Sequence, residues 1–142
     1  MPGDDRFVSL DHTIRLPDGR TLGYSEYGSP TGNTLFYFGS SRLEACLLAR
    51  AAANAGVRVI GTDRPGMGLS QFQPGRRLLD WPADVVALAD HLGIARFAVV
   101  GVSAGGPHAL ACAPDGVTLA WRTRQGRARC QWASDSRTAL PL

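Results

Sequence analysis

The chain has 142 residues, of which 44% are hydrophobic and 19% charged, a composition typical of a folded domain and not of a disordered chain. It has no run of 18 apolar residues and no apolar stretch behind residues 1–6, so neither a transmembrane helix nor a secretory signal is predicted. All basic residues are Arg, and the net charge of +3 comes from residues 115–142, because residues 1–114 are neutral overall. A basic tail alone does not indicate nucleic-acid binding, which requires a basic face on the folded body.

Cysteine and histidine patterns argue against metal or disulfide chemistry. Cys46, Cys112 and Cys130 are widely spaced, and the three His are scattered. This spacing fits neither a zinc site nor a disulfide framework, so no metal and no organic cofactor is predicted. Without a secretory signal, the expected location is the reducing cytoplasm.

Strands and helices alternate along the first 113 residues. Thr13–Leu16 and Thr21–Tyr27 flank a Pro-Asp-Gly turn and predict a β-hairpin. Three later apolar runs predict buried strands, and three Ala- or Leu-rich segments predict helices. In chain order these are strand Thr34–Phe38, helix Leu43–Asn54, strand Val57–Thr62, helix Pro82–Leu92 with Asp80 as its cap, strand Phe97–Val100 and helix Ala104–Ala113. Their order predicts an α/β fold with a mostly parallel sheet and helices on both faces.

The sharpest chemical signal is a Gly-x-Ser-x-Gly motif between the last predicted strand and the helix after it. The motif runs from Gly101 to Gly105, and Gly106 follows. Between a strand and a helix, this pattern is typical of a nucleophile elbow, a turn too tight for side chains two positions from the serine. It predicts Ser103 as nucleophile, the three glycines as structural residues, and the Ala104 N–H as a donor to a developing oxyanion.

A phosphate-binding loop is the rival interpretation of the same glycines. Gly101-x-Ser103-x-x-Gly106 is a dinucleotide fingerprint with its middle Gly replaced by Ser. The replacement blocks the close approach of a pyrophosphate, and the loop follows a late strand instead of the first. The nucleophile elbow is therefore preferred.

A second motif follows the strand Val57–Thr62, in the pattern Asp-Arg-Pro-Gly-x-Gly-x-Ser, and its fixed positions are Asp63, Arg64, Pro65, Gly66, Gly68 and Ser70. With this motif and the Gly-x-Ser-x-Gly turn, the chain resembles the α/β-hydrolases, in particular their esterase and proline-iminopeptidase-like branch. The resemblance covers about residues 13–113. It implies hydrolysis of a small-molecule carboxylic ester or amide through an acyl-enzyme on Ser103, without a cofactor. The motif residues are expected to shape the loop, with the Asp63 carboxylate accepting from the amides of Gly66 and Gly68 and taking no part in catalysis.

The loop after Thr34–Phe38 departs from the family pattern. The family commonly has His-Gly and a short Pro/Gly stretch here, whereas this chain passes from Phe38 through Gly39 and Ser40 to Ser41-Arg42. The backbone N–H of Gly39 or of Ser40 remains the candidate for the second oxyanion donor. A missing donor typically costs roughly 10²- to 10³-fold in rate.

The second departure from the family is the lack of an identifiable catalytic base after Ser103. His108 is the only His after Ser103, and it lies on the elbow helix, where a half-exposed polar residue is expected and not a base. The resemblance implies a catalytic triad in the order Ser, then Asp or Glu, then His. His12 and His91 are expected at the surface, and no strand context places Asp115 or Asp135 as the triad acid.

These departures predict two regions and leave three functions open. Residues 1–113 are predicted to be a partial α/β-hydrolase domain, truncated after the elbow helix so that Phe97–Val100 becomes an edge strand; residues 114–142 are predicted to be an Arg-rich tail, irregular or read out of frame. An active serine hydrolase is one function. The alternatives are an inactive fragment without the triad Asp and His, and a binding module that uses Trp121, Trp132 and the basic tail. The expected partner is a small-molecule substrate, with neither nucleic acid nor membrane, and oligomeric state is left open.

Overall fold

A computed structural model describes residues 7–112, 120–122 and 128–130 of the chain. The strands are β1 (Phe7–Arg15), β2 (Thr21–Gly28), β3 (Asn33–Phe38), β4 (Val57–Thr62), β5 (Phe97–Gly101), β6 (Ala120–Arg122) and β7 (Ala128–Cys130). The α-helices are α1 (Ala49–Asn54), α2 (Trp81–His91) and α3 (Gly106–Ala111). Three 3₁₀ helices precede them, at Arg42–Leu48, Leu78–Asp80 and Ser103–Gly105.

The main sheet has five strands in the order β1-β2-β4-β3-β5. Strand β3 pairs in parallel with β4 and with β5, whereas β2 pairs antiparallel with β1 and with β4. The α/β prediction is confirmed, and the sheet is mixed because the N-terminal hairpin adds its two strands in antiparallel orientation. Within the described residues, β5 is an edge strand.

The hairpin turn has the geometry that its sequence predicts. The amide of Leu16 donates to the Arg20 carbonyl at 2.7 Å, and Gly19 has a φ of +87°. Strand β1 begins earlier than predicted, at Phe7, and its register shifts between Ser9 and His12. That irregularity interrupts the alternation of side chains, which is why the pattern alone did not extend the strand.

Two apolar clusters lie on opposite faces of the sheet, and helices pack on both, as predicted. Phe36 and Phe38 belong to the cluster with Trp81, Val85 and Leu88 of α2, and Ala109 of α3 lies in the same cluster. Tyr37, between the two phenylalanines, points the other way into the cluster with Ala45, Ala49 and Ala52. This period of two is that of a strand buried on both faces.

All three predicted helices start differently in the structure: α2 begins one residue early, and the helix predicted from Ala104 is a 3₁₀ turn over Ser103–Gly105 followed by α3. The segment predicted as one helix over Leu43–Asn54 is a 3₁₀ helix followed by α1, with Ser41 as its N-cap. Asp80 occupies the N-cap position of α2, as predicted, but its side chain makes no capping bond to that helix, because its carboxylate accepts from the Arg77 amide at 2.8 Å and closes the preceding 3₁₀ turn.

Strands β6 and β7 form a separate two-stranded antiparallel sheet. The rest of the predicted tail lies outside the described residues, as do the side chains of Trp121 and Trp132. In the described part of the chain, no helix is long and apolar enough to cross a bilayer.

Candidate active site

The carboxyl ends of the three parallel strands meet at one edge of the sheet. Phe38 of β3 is paired with Thr62 of β4 on one side and with Gly101 of β5 on the other. The Val102 amide continues the ladder by donating to the Phe38 carbonyl at 2.9 Å. The segments after the three strands, including Gly39 and Ser103, therefore start side by side.

Ser103 stands at the turn from β5 to α3 in a strained backbone conformation. Its φ is +52°, in the left-handed region that non-glycine residues rarely adopt, and both Ser103 and Ala104 are exposed. A Cβ on Gly101 would overlap the Gly105 carbonyl oxygen and approach the Ala109 Cβ to 2.8 Å. By contrast, a Cβ on Gly106 would meet no heavy atom within 4 Å. The serine is thus displayed at the surface by a turn that is crowded at Gly101.

The loop after β3 packs directly against this turn. A Cβ on Gly105 would overlap the Phe38 carbonyl oxygen and would lie 3.0 Å from the Gly39 nitrogen. Gly39 is buried, and Ser40, the next residue, is exposed. The loop that carries the candidate donors Gly39 and Ser40 accordingly begins against the turn that carries Ser103 and Ala104.

Asp63 ties two loops together from a fully buried position. Its Oδ1 accepts from the Arg42 amide at 2.8 Å, and its Oδ2 accepts from the Arg42 guanidinium at 2.8 Å and from the Leu69 amide at 2.9 Å. The predicted acceptance from the Gly66 and Gly68 amides is wrong. Gly66 N–H donates to the Gln71 carbonyl, and the Gly68 Cα lies so close to the carboxylate that a Cβ there would overlap it.

Other residues of the same motif close the loop locally. Ser70 Oγ donates to the Asp63 carbonyl at 2.7 Å and accepts from the Gly23 amide at 2.9 Å. Gly66 has a φ of +83°, which suits glycine, and Pro65 is buried. The Arg64 carbonyl accepts from the Met67 amide at 2.9 Å. The motif therefore fixes the segment after β4 against β2.

His108 is buried, so the prediction of a half-exposed position is wrong. Its Nε2 lies 3.0 Å from the Arg76 guanidinium, which can only donate, so Nδ1 carries the proton and donates to the Ala104 carbonyl at 3.1 Å. The ring also packs edge-on against Trp81 at 5.6 Å between centroids. Tertiary packing against α2 buries this face of α3, and both ring nitrogens are hydrogen-bonded to groups other than Ser103.

Because His108 is buried, its protonation is expected to make the free energy of unfolding depend on pH. Burial lowers the pKa of His108, and the nearby Arg64 and Arg76 guanidinium groups act in the same direction. The folded pKa is below that of the unfolded chain, so the unfolded state binds the proton first as pH falls. The contribution of His108 to the free energy of unfolding is therefore complete above the unfolded-state pKa of about 6.5, and it declines as pH falls through the lower folded-state pKa.

Denaturation at about pH 7.5 and about pH 5 measures this loss. We expect a smaller loss of unfolding free energy in His108→Gln than in the wild type, whereas the exposed His91→Gln control should lose as much as the wild type. An equal loss in His108→Gln and the wild type would contradict the assignment.

The remaining titratable candidates lie elsewhere. His12 is hydrogen-bonded to Ser9 Oγ at 2.5 Å and stacks on Tyr24, and His91 is exposed in the last turn of α2. Asp115 and Asp135 fall outside the described residues.

Among the described residues, no group of three His, Cys, Asp or Glu is placed to hold a metal ion. Cys46 and Cys112 are free thiols, and burial raises the pKa of Cys112 to about 12.

An open cleft of about 360 Å³ lies near the hairpin turn and the start of α2, where it is lined by Leu16, Arg20, Leu79 and Asp84 among others. The Arg20 guanidinium donates to both oxygens of Asp84, at 3.1 and 2.8 Å. None of the predicted site residues lines this cleft.

Two site neighbours, Arg42 and Glu44, are absent from the sequence-based predictions. Arg42 is the buried partner of Asp63, and the Glu44 carboxylate accepts from both the amide and the hydroxyl of Ser40, at 2.6 and 2.7 Å. The Ser-x-x-Glu spacing from Ser41 to Glu44 is typical of a helix start and was the available signal for Glu44.

Comparison with known proteins gives one consistent family. The sequence profile of the α/β hydrolase fold matches residues 37–117. The uncharacterized hydrolase YcgS of Bacillus subtilis (strain 168) is 34% identical over 90 residues, which are 63% of this chain and 32% of YcgS. The chain therefore spans about a third of the length of this relative.

Solved structures agree with the profile. An α/β hydrolase from Sphaerobacter thermophilus DSM 20745 is 30% identical, with a TM-score of 0.60 over 73% of this chain and 40% of that one. The enol-lactonase from Burkholderia xenovorans LB400, 24% identical, shares the fold with a TM-score of 0.65 over 73% of this chain and 42% of its own. The chain belongs to the α/β hydrolase fold family.

Proposed function

We propose that this chain carries the nucleophile of a serine hydrolase that cleaves carboxylic esters or amides through an acyl-enzyme on Ser103. The observation that carries the proposal is the exposed Ser103 at a φ of +52°, between β5 and α3, with the loop after β3 packed against it. Membership of a hydrolase family supports the same reaction class. Strain at an exposed serine is typical of a residue held for chemistry instead of packing.

In the proposed reaction, Ser103 Oγ attacks the carbonyl carbon, its proton passes to a base, and the carbonyl oxygen becomes an oxyanion. The Ala104 N–H, at the start of the 3₁₀ turn into α3, is the first donor to that oxygen, and Gly39 or Ser40 is the second. Collapse of the tetrahedral intermediate expels an alcohol or amine, and water then releases the acid. Since both nitrogens of His108 are bonded elsewhere, we assign the base to another group.

The proposed roles of the other residues are structural. Gly101 and Gly105 leave the space that the turn requires, and Gly106 begins α3. Asp63, with Arg64, Pro65, Gly66, Gly68 and Ser70 around it, fixes the neighbouring loop through Arg42. The enol-lactonase among the structural neighbours is named for a small cyclic ester. We accordingly propose small esters or lactones as the substrate class, with no cofactor and a cytoplasmic location.

Hydrolysis of a small activated ester tests this function. We expect the wild-type chain to release p-nitrophenol from p-nitrophenyl acetate above the rate of buffer alone, and Ser103→Ala to return to that rate. Ser70→Ala is not a suitable control because its hydroxyl closes the adjacent loop, whereas Ser9→Ala on β1 leaves this edge of the sheet intact. Equal hydrolysis by wild type and Ser103→Ala would favour the catalytically inactive alternative.

A further inference from the structure

One carboxylate covers a candidate oxyanion donor. Glu44 Oε2 accepts from the Ser40 amide at 2.6 Å and from the Ser40 hydroxyl at 2.7 Å. A Cβ on Gly39 would overlap Oε2, so the absence of a side chain at Gly39 lets the carboxylate lie against the loop. The Ser40 N–H is therefore directed at an intramolecular anion.

The position of this carboxylate relative to the elbow follows from the sheet. Phe38 and Gly101 are paired, the Val102 amide bonds the Phe38 carbonyl, and Gly105 packs on the segment from Phe38 to Gly39. Ser40 and Ser103 are each the second residue beyond this last register pair on adjacent parallel strands. The Glu44 carboxylate, bonded to Ser40, thus lies beside the loop that packs against the turn of the nucleophile.

The carboxylate is negatively charged at neutral pH. Hydrogen bonds from the Ser40 side chain, then from the Ser40 amide, lower the pKa of Glu44, and the Tyr37 hydroxyl contributes in the same direction. A charged acceptor makes stronger hydrogen bonds than a neutral carbonyl, so a substrate oxygen is the weaker competitor for the same N–H until it becomes an oxyanion.

We propose that Glu44 restrains acylation of Ser103 by occupying the Ser40 N–H in place of the substrate oxyanion, and that its side chain must swing away for this donor to act. The inference rests on the proposed function, since it names a control residue for the same site. The alternative is a purely structural role for Glu44, in which it only supports the start of the 3₁₀ helix capped by Ser41.

The rate at which a fluorophosphonate labels Ser103 on the complete chain separates these roles. We expect labelling of Glu44→Ala at least about tenfold faster than wild type, because one oxyanion donor is worth roughly 10²- to 10³-fold. Glu44→Gln should lie between them, since a neutral amide still accepts from Ser40 but carries no charge. Asp18→Ala removes a comparable carboxylate, which accepts from the Arg20 amide in the β1–β2 turn, on the opposite side of the sheet from β5, and should label at the wild-type rate.

Each outcome decides a different claim. Equal or slower labelling of both Glu44 variants would overturn the inference and leave Ser103 as the nucleophile. No labelling in any variant would overturn the proposed function, and the inference with it. A second measurement needs no activity: the Ser40 amide resonance should move as Glu44 is protonated by acid in the wild type and stay fixed in Glu44→Gln, and a resonance that does not move in the wild type would refute the contact.

Discussion

Replacement of Asp63 by Asn is expected to lower the free energy of unfolding by about 3 kcal/mol, the lower end of the range for breaking a buried ion pair. Asn keeps the size of the side chain but removes the charge that faces the buried Arg42. Its amide would also direct hydrogens at the Leu69 N–H or the guanidinium, both of which need acceptors. The loss stays near the lower end because Arg42 retains its second carboxylate, the exposed Asp11.

Asp18→Asn is the matched control. Asp18 also pairs with an Arg that has a second carboxylate, because Arg20 keeps Asp84, but the Asp18 side chain is 50% exposed. Exposed pairs contribute at most about 1 kcal/mol, so urea denaturation should find Asp18→Asn close to wild type. If both variants lost the same small amount, Asp63 would not hold the two loops together.

Gly105→Ala is expected to have a similarly large effect, at about 3 kcal/mol, the upper end of the overpacking range. Its φ of −77° suits any residue, so the cost comes from close approach and not from backbone strain. The new methyl group would overlap the Phe38 carbonyl oxygen, a backbone atom that cannot move without shifting β3. We also expect the labelling of Ser103 to be lost, since the turn must separate from the loop after β3.

Gly106→Ala provides the comparison one residue further along. Gly106 has helical angles, with φ and ψ both −54°, and open space at its Cβ position. Alanine there should stabilise the chain by up to about 1 kcal/mol through its higher helix propensity. Thermal melting of the two variants should therefore move in opposite directions; a Gly105→Ala chain as stable as Gly106→Ala would show that the predicted crowding is absent.

The central strands could be predicted because each is marked by the composition of its own short segment. Val57–Thr62, a short segment rich in β-branched residues, has the bounds of β4, and the Gly-x-Ser-x-Gly motif marked the turn after β5. The start of β1 was missed because an irregularity near Asp11, with a φ of +63°, breaks the period of two. Local sequence patterns therefore identify strands and helices of regular geometry and fail where an irregularity interrupts the periodicity.

Partners distant in sequence could not be predicted in the same way. Asp63 was expected to bond the amides of its own loop, whereas its main partner, Arg42, lies 21 residues earlier. His108 was expected to be half-exposed because its helix alone does not reveal the contacts of α3 with Trp81 and Arg76, residues far from it in sequence. Glu44 was overlooked because a helix-start pattern does not reveal that the amide it accepts from borders the elbow.

The most direct test of Ser103 as the nucleophile is to treat the complete chain with a fluorophosphonate and map the adduct by peptide mass spectrometry. The serine oxygen forms a bond to phosphorus as fluoride leaves, and the hydroxyl proton passes to the solvent or a base. We predict one adduct, on the peptide that contains Ser103, absent from Ser103→Ala and retained in Ser9→Ala. An unmodified wild-type chain, or an adduct that persists on another residue in Ser103→Ala, would contradict the assignment of Ser103 as the nucleophile.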